Sequence, residues 1–94
     1  MANKSANNIV EVSRAIGAPV TFWVGPPGMT GKAANPYYQP EAMDHIYDAT
    51  APRFSGTTFD SRHIDTGKGD HVHVYGSTAT AWAQEVSDFV IERL

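Results

Sequence analysis

One short run of residues, Val20–Val24, constrains the fold of this chain more than any other feature. It reads Val-Thr-Phe-Trp-Val and stops abruptly at Gly25-Pro26-Pro27-Gly28. A continuous run of β-branched and aromatic residues bounded by turn residues is typical of a strand covered on both faces, as in a parallel sheet. The run therefore predicts a strand that helices pack against from both sides.

Helical spacing on either side of this strand agrees with that interpretation. Apolar residues at 9, 12 and 16 predict a helix over residues 6–16, with Ser5 as its cap and Gly17 at its end. Pro40 suits the first position of a second helix, which Pro52 ends. The inner face of this second helix is predicted to carry Met43, Ile46, Tyr47 and Thr50.

A second strand and a last helix complete the predicted order. Residues 57–60 predict a short strand, residues 61–76 a long polar loop, and Ser77 the cap of the last helix. The core-facing residues of that helix are predicted to be Trp82, Val86, Phe89 and Val90. The order helix, strand, helix, strand, helix predicts an α/β fold, a three-layer αβα fragment of flavodoxin-like type with a parallel sheet.

Two strands are too few for a stable parallel sheet covered on both faces. The expectation is therefore that the chain self-associates or that a second polypeptide completes the sheet. At 94 residues the chain is one domain, residues 1–94.

Composition excludes several function classes. The chain has no Cys, so disulfide scaffolds, thiol chemistry and Cys-ligated zinc are excluded. Its formal charge of −3, with no Lys/Arg cluster, argues against nucleic acid as a partner. The N-terminal residues lack the apolar core of a signal peptide, and no apolar run is long enough to span a membrane. These features predict a cytoplasmic protein or a component of a larger assembly.

Asp70 and His73 form the most distinctive chemical pattern, because they lie three residues apart just before the last helix. A carboxylate beside an imidazole fixes its tautomer and stabilises the imidazolium that forms when the ring takes a proton. The same pattern would also occur if Asp70 capped a turn and His73 were a surface residue. The pair is nevertheless the candidate acid–base couple of the chain.

Taken with the strand that runs into Gly25-Pro26-Pro27, the strand that ends at Phe59-Asp60-Ser61 and the Ala81-Trp82-Ala83 segment, this D-x-x-H pattern resembles the C-terminal half of an SGNH (GDSL-type) hydrolase. The resemblance covers about residues 6–94. It implies that Asp70 and His73 are catalytic, with His73 as the general base. It also implies ester hydrolysis, of an acyl or O-acetyl ester or of a carbohydrate ester, without a metal or other cofactor.

The resemblance does not include the N-terminal half of the family's domain. The chain has no G-D-S motif, so the serine nucleophile, the oxyanion-hole Gly and the Asn of the family have no counterpart, and Val74 follows His73 where the family often has Pro. Two functions remain open. The chain supplies its Asp/His pair to an ester hydrolase whose serine comes from another polypeptide, or it is a non-catalytic structural or interaction module of that fold, such as an accessory subunit.

Three further patterns in the sequence suggest binding sites. Tyr37, Tyr38 and Tyr75 are predicted to line a substrate-binding wall, with packing of the loop as the alternative. Residues 25–33 resemble a phosphate-binding loop, but Pro26 and Ala33 replace its first Gly and its hydroxyl residue. The His71-x-His73 array near residues 63 and 65 has ligand types that suit a metal, without a second motif to support one.

Overall fold

A computed structural model describes residues 2–30, 38–66 and 71–94. These residues form helix α1 (Ala2–Ala15), strand β1 (Trp23–Val24), helix α2 (Pro40–Thr50) with a 3₁₀ turn at Ala51–Phe54, strand β2 (Thr58–Phe59) and helix α3 (Gly76–Arg93). The predicted order of helices and strands is confirmed.

The two strands pair in parallel. Trp23 lies beside Thr58 and Val24 beside Phe59. Beyond the strands the two chain segments stay together, because the Gly28 N–H donates to the Ile64 carbonyl at 2.8 Å. The described part of the chain is thus a mixed helix and strand structure around a two-stranded parallel sheet, which is compatible with the α/β class.

Helix α2 and the 3₁₀ turn provide most of the core. Its buried hydrophobic side chains are Met43, Tyr47, Phe54, Phe59 and Ile64. The predicted inner face of α2 is confirmed at three of its positions, since Thr50 is buried with Met43 and Tyr47. This face forms because residues three and four positions apart lie on one side of a helix.

Aromatic contacts join the sheet to helices through two successive residues, Phe22 and Trp23. The Trp23 ring stacks on Phe54 of the 3₁₀ turn, with 5.7 Å between ring centroids. Phe89 of α3 meets Phe22 and Phe59 edge-on, with centroid distances of 6.0 Å and 5.3 Å. Because successive side chains of a strand point to opposite faces, these contacts lie on opposite sides of the sheet.

The expected burial of β1 on both faces is wrong in this structure. Val20 and Val24 are each 40% exposed, and regular strand structure covers two residues rather than the five predicted. The physical reason is that β1 has a hydrogen-bonded neighbour on one edge only within the described residues. The residues predicted to face the core from α3 are half-buried, and no described residue of this helix is fully buried.

Two predicted helix caps are corrected. Helix α1 begins at Ala2, which places Ser5 inside the helix, and α3 begins at Gly76, one residue before Ser77, without a side-chain cap. The end of α1 agrees with prediction. Gly17 has φ +69°, and the Ala18 N–H donates to the Ser13 carbonyl at 3.0 Å, a helix-ending arrangement that glycine adopts without strain.

Candidate functional site

The carboxyl ends of the two strands bring Gly25-Pro26 and Asp60-Ser61 side by side. In open α/β sheets this end of the strands is where ligands usually bind. Here it is filled from within, by side chains of α2 and α3.

A chain of three hydrogen bonds closes this end of the sheet. The Trp82 indole N–H donates to Ser61 Oγ at 2.9 Å, and the Ser61 N–H donates to Tyr47 Oη at 2.8 Å. The Tyr47 hydroxyl then donates to the Pro26 carbonyl at 2.7 Å. One network therefore joins both strand ends to α2 and α3.

Ser61 has no nucleophilic role in this arrangement. Ser61 is 0% exposed, and its Oγ accepts a hydrogen bond from the Trp82 indole N–H. A nucleophilic hydroxyl needs access to substrate and a base within hydrogen-bond reach. The arrangement is instead that of a satisfied, buried polar network, which fixes the packing around it.

Gly25 is required by the position of the Tyr47 ring. A Cβ at Gly25 would lie 2.3 Å from that ring. Burial raises the pKa of the Tyr47 hydroxyl above its ordinary value of 10.0, because the phenolate would lose its hydration there. Tyr47 therefore remains a neutral hydrogen-bond donor throughout the physiological range.

Arg62 covers the outer side of this network. Its guanidinium lies 4.4 Å from the centre of the Tyr47 ring and pairs with Asp60 at 2.6 Å and Asp44 at 3.0 Å. The hydrogen bonds from Arg62 hold the pKa of Asp60 below its ordinary value, and Asp60 in turn raises the pKa of Arg62. Because each charge in this cluster has a partner, its ion pairs hold the loop after β2 rather than offer a vacant site.

Two of the predicted site residues, His73 and Tyr75, come together just before α3. Both are exposed, and their ring centroids are 6.3 Å apart. Asp70 and Tyr37 lie outside the described residues, and Tyr38 is 39% exposed. The geometry thus brings His73 to the surface beside one predicted substrate-binding residue, and the Asp70–His73 pair stays a prediction.

The candidate residues for metal and phosphate binding form no site in the described part of the chain. No group of three His, Asp or Glu residues there could hold a metal ion. His63 pairs with Glu85 at 3.0 Å, and the half-buried His71 has φ 62° with a buried Nδ1 that has no hydrogen-bond partner. Lys32 and Ala33 of the phosphate-loop pattern lie outside the described residues.

The sequence pattern predicts that Tyr47 and Trp82 face the core, but it does not reveal the hydrogen bonds of the Tyr47 hydroxyl and the Trp82 indole N–H. It also missed Ser61 as a buried residue. Two features of the sequence could have indicated this network. Ser61 directly follows a predicted strand, and the helices predicted to flank that strand carry the Tyr47 hydroxyl and the Trp82 indole.

Comparisons with known proteins leave the chain without an assigned family. No protein-family model matches it, and searches of curated proteins and of solved structures gave no significant match. Among the described residues, no helix combines the length and apolar character needed to cross a membrane.

Proposed function

We propose that this chain is a self-associating α/β structural module whose two-stranded sheet is completed by β1 of a second copy. The observation that carries the proposal is the edge of β1 that has no strand beside it among the described residues, flanked by the exposed side chains of Val20 and Val24.

Backbone geometry supports pairing at this edge. The Trp23 N–H donates to the Thr57 carbonyl at 2.9 Å, and the Gly25 N–H donates to the Phe59 carbonyl at 3.1 Å. Backbone groups of alternate residues in a strand point to opposite edges, so those of Phe22 and Val24 point away from β2. A second strand placed at this edge would exchange hydrogen bonds with these N–H and C=O groups.

The edge lacks the charged side chains that often keep sheet edges apart. Natural edge strands are protected by charged residues, above all Lys. Residues 15–30 contain no charged side chain. A second copy would therefore meet no like charge along β1, and a two-fold arrangement would make the surface self-complementary.

Completion of the sheet would also give the finer architecture predicted from the sequence. Phe54 already packs on one side of the sheet and Phe89 on the other. A four-stranded sheet made from two copies would bury Val20 and Val24 and have helices on both faces, as a three-layer αβα fold requires.

The test is the molar mass of the purified chain, by light scattering and sedimentation across a concentration series. The wild-type chain is expected to be a dimer above low micromolar concentration. Val24→Lys should be monomeric, because it puts a like charge at the two-fold contact. Val12→Lys is the matched control, since Val12 is an exposed valine on α1 and the variant should stay dimeric. A wild-type monomer that melts cooperatively would refute the proposal.

A second candidate function is supported by the exposure of His73 beside Tyr75. In it, His73 is the general base and Asp70 its orienting acid for an ester hydrolase whose serine and oxyanion donors come from another polypeptide. An imidazole alone gives only slow background hydrolysis, because efficient catalysis needs base, nucleophile and oxyanion donors together.

Measurements of ester hydrolysis and probe labelling distinguish the two functions. As a structural module, the chain should hydrolyse p-nitrophenyl acetate no faster than its His73→Ala variant and should not react with a fluorophosphonate probe. A co-purifying serine-containing chain that restores turnover, lost again in Asp70→Asn and His73→Ala, would establish the hydrolase. Labelling of a serine in the lone chain would instead reveal a nucleophile of its own.

A further inference from the structure

A cavity of about 270 Å³ lies at the end of the sheet opposite to Ser61. Its walls come from the last turns of α1, the segment before β1, the 3₁₀ turn and the residues that precede β2. Because the strands are parallel, these segments meet at their amino ends. The cavity is therefore distinct from the region of His73 and from the hydrogen-bond network.

Two arginines, Arg14 and Arg53, are among the residues that line this cavity. Neither pairs with a carboxylate within the described residues, whereas Arg62 and Arg93 each have a carboxylate partner. Arg53 donates one hydrogen bond to the neutral side-chain oxygen of Asn7, which orients it and leaves its other N–H groups available. In a chain of net charge −3, two uncompensated cations on one cavity are an unusual concentration of positive charge.

The hydroxyl groups around the cavity divide into two kinds. Thr21 donates to Ser13 Oγ at 2.8 Å, and Ser13 donates to the Ile9 carbonyl at 2.9 Å, so both of these protons are already used. Thr57 likewise donates to the Phe54 carbonyl at 3.3 Å. The Ser55 hydroxyl, which also lines the cavity, has no partner in the described part of the chain. Two guanidinium groups and one hydroxyl thus remain as free donors.

The geometry points to a binding site for a small phosphate-bearing ligand, held by Arg14 and Arg53 with Ser55 as a third donor. Guanidinium groups bind phosphate oxygens through paired, charge-assisted hydrogen bonds, and two of them balance a phosphate dianion. Val10, Val20 and Phe54 add an apolar wall. The volume of about 270 Å³ is large enough for inorganic phosphate or a small phosphate monoester.

The experiment is a ¹H–¹⁵N NMR titration of the whole chain at neutral pH and constant ionic strength. The probes are inorganic phosphate, phenyl phosphate and benzoate, with sodium chloride as the ionic control. We expect saturable shifts confined to the amides around Arg14 and Ser55 with both phosphates. Tighter binding of phenyl phosphate would identify a monoester site, and equal binding a site for free phosphate.

Three variants make the test specific. Arg14→Gln and Arg53→Gln should each weaken phosphate binding by about tenfold, the usual effect of losing one charged hydrogen-bond donor. Lys4→Gln removes the same charge from α1 but not from the cavity, and its affinity should equal that of the wild type. A matching spectrum and melting temperature for Arg14→Gln would show that the loss is not unfolding. Absence of saturable shifts, equal affinities in Lys4→Gln and Arg14→Gln, or benzoate binding as tight as phenyl phosphate would overturn the inference.

Discussion

Replacing Tyr47 with Phe tests whether the hydrogen-bond network at the strand ends stabilises the fold. The change removes one oxygen and keeps the ring, which is 3% exposed. It leaves the buried Ser61 N–H without its acceptor and the Pro26 carbonyl without its donor. Each unsatisfied buried group costs about 1–3 kcal/mol, and Pro26 is a half-buried residue, so we expect a loss of about 2–4 kcal/mol.

This loss is large for a chain of 94 residues. Domains of this size have an unfolding free energy of roughly 5–14 kcal/mol. With a urea m-value of about 1.5 kcal/mol per M, the midpoint should fall by roughly 1.3–2.7 M. Circular dichroism at a fixed protein concentration measures this, since self-association would make the midpoint depend on concentration.

Tyr75→Phe is the matched control for this measurement. It removes the same atom from a tyrosine that is 61% exposed, and its effect should stay within about 0.5 kcal/mol. A Tyr47→Phe midpoint as close to wild type as that of the control, with an unchanged m-value, would show that the network contributes nothing to stability.

Three further outcomes are expected from the same urea measurement. Gly25→Ala should destabilise the fold by about 3 kcal/mol, because its methyl group would overlap the buried Tyr47 ring. Gly56→Ala should cost only about 1 kcal/mol, because that glycine has φ +78° but open space around it. Equal losses of stability in the two variants would contradict the overlap. Ser61→Ala should cost about 1–2 kcal/mol by removing the acceptor of the indole N–H, and a neutral effect would count against that bond. The lowered pKa of Asp60 contributes stability that is complete above the ordinary Asp value, about 3.9, and is lost as pH falls through the lower folded value. Asp60→Asn should therefore reduce the loss of stability on acidification, and identical pH profiles would contradict this linkage.

Local features of the fold were predictable from the sequence. Pro40 marks the start of α2, Gly17 ends α1, and the spacing of Met43 and Tyr47 identifies the inner face of α2. Each of these depends on residues within one or two turns of each other, where backbone preference and helical period decide the outcome.

Features set by distant pairing were not predictable. The exposure of Val24 depends on how many strands lie beside β1, which the residues of β1 do not encode. The bond from Ser61 to Tyr47 joins residues 14 positions apart, and it exists because the parallel pairing brings the strand ends to one place. The Asp70–His73 pair stays a prediction, since only His73 lies in the described residues.

Helix α3 is attached by a few separate points rather than by a continuous apolar stripe. Its contacts with the rest of the chain include those made by Trp82, Glu85, Phe89 and Arg93, and the described helix has no buried residue. An 18-residue helix is about 27 Å long, so these contacts hold a long element with little buried area. Regions of this kind open locally at lower free energy than the core. We therefore expect the amides of α3 to exchange with deuterium well before those of α2, and α3 to be the first element to detach while the rest of the chain remains folded.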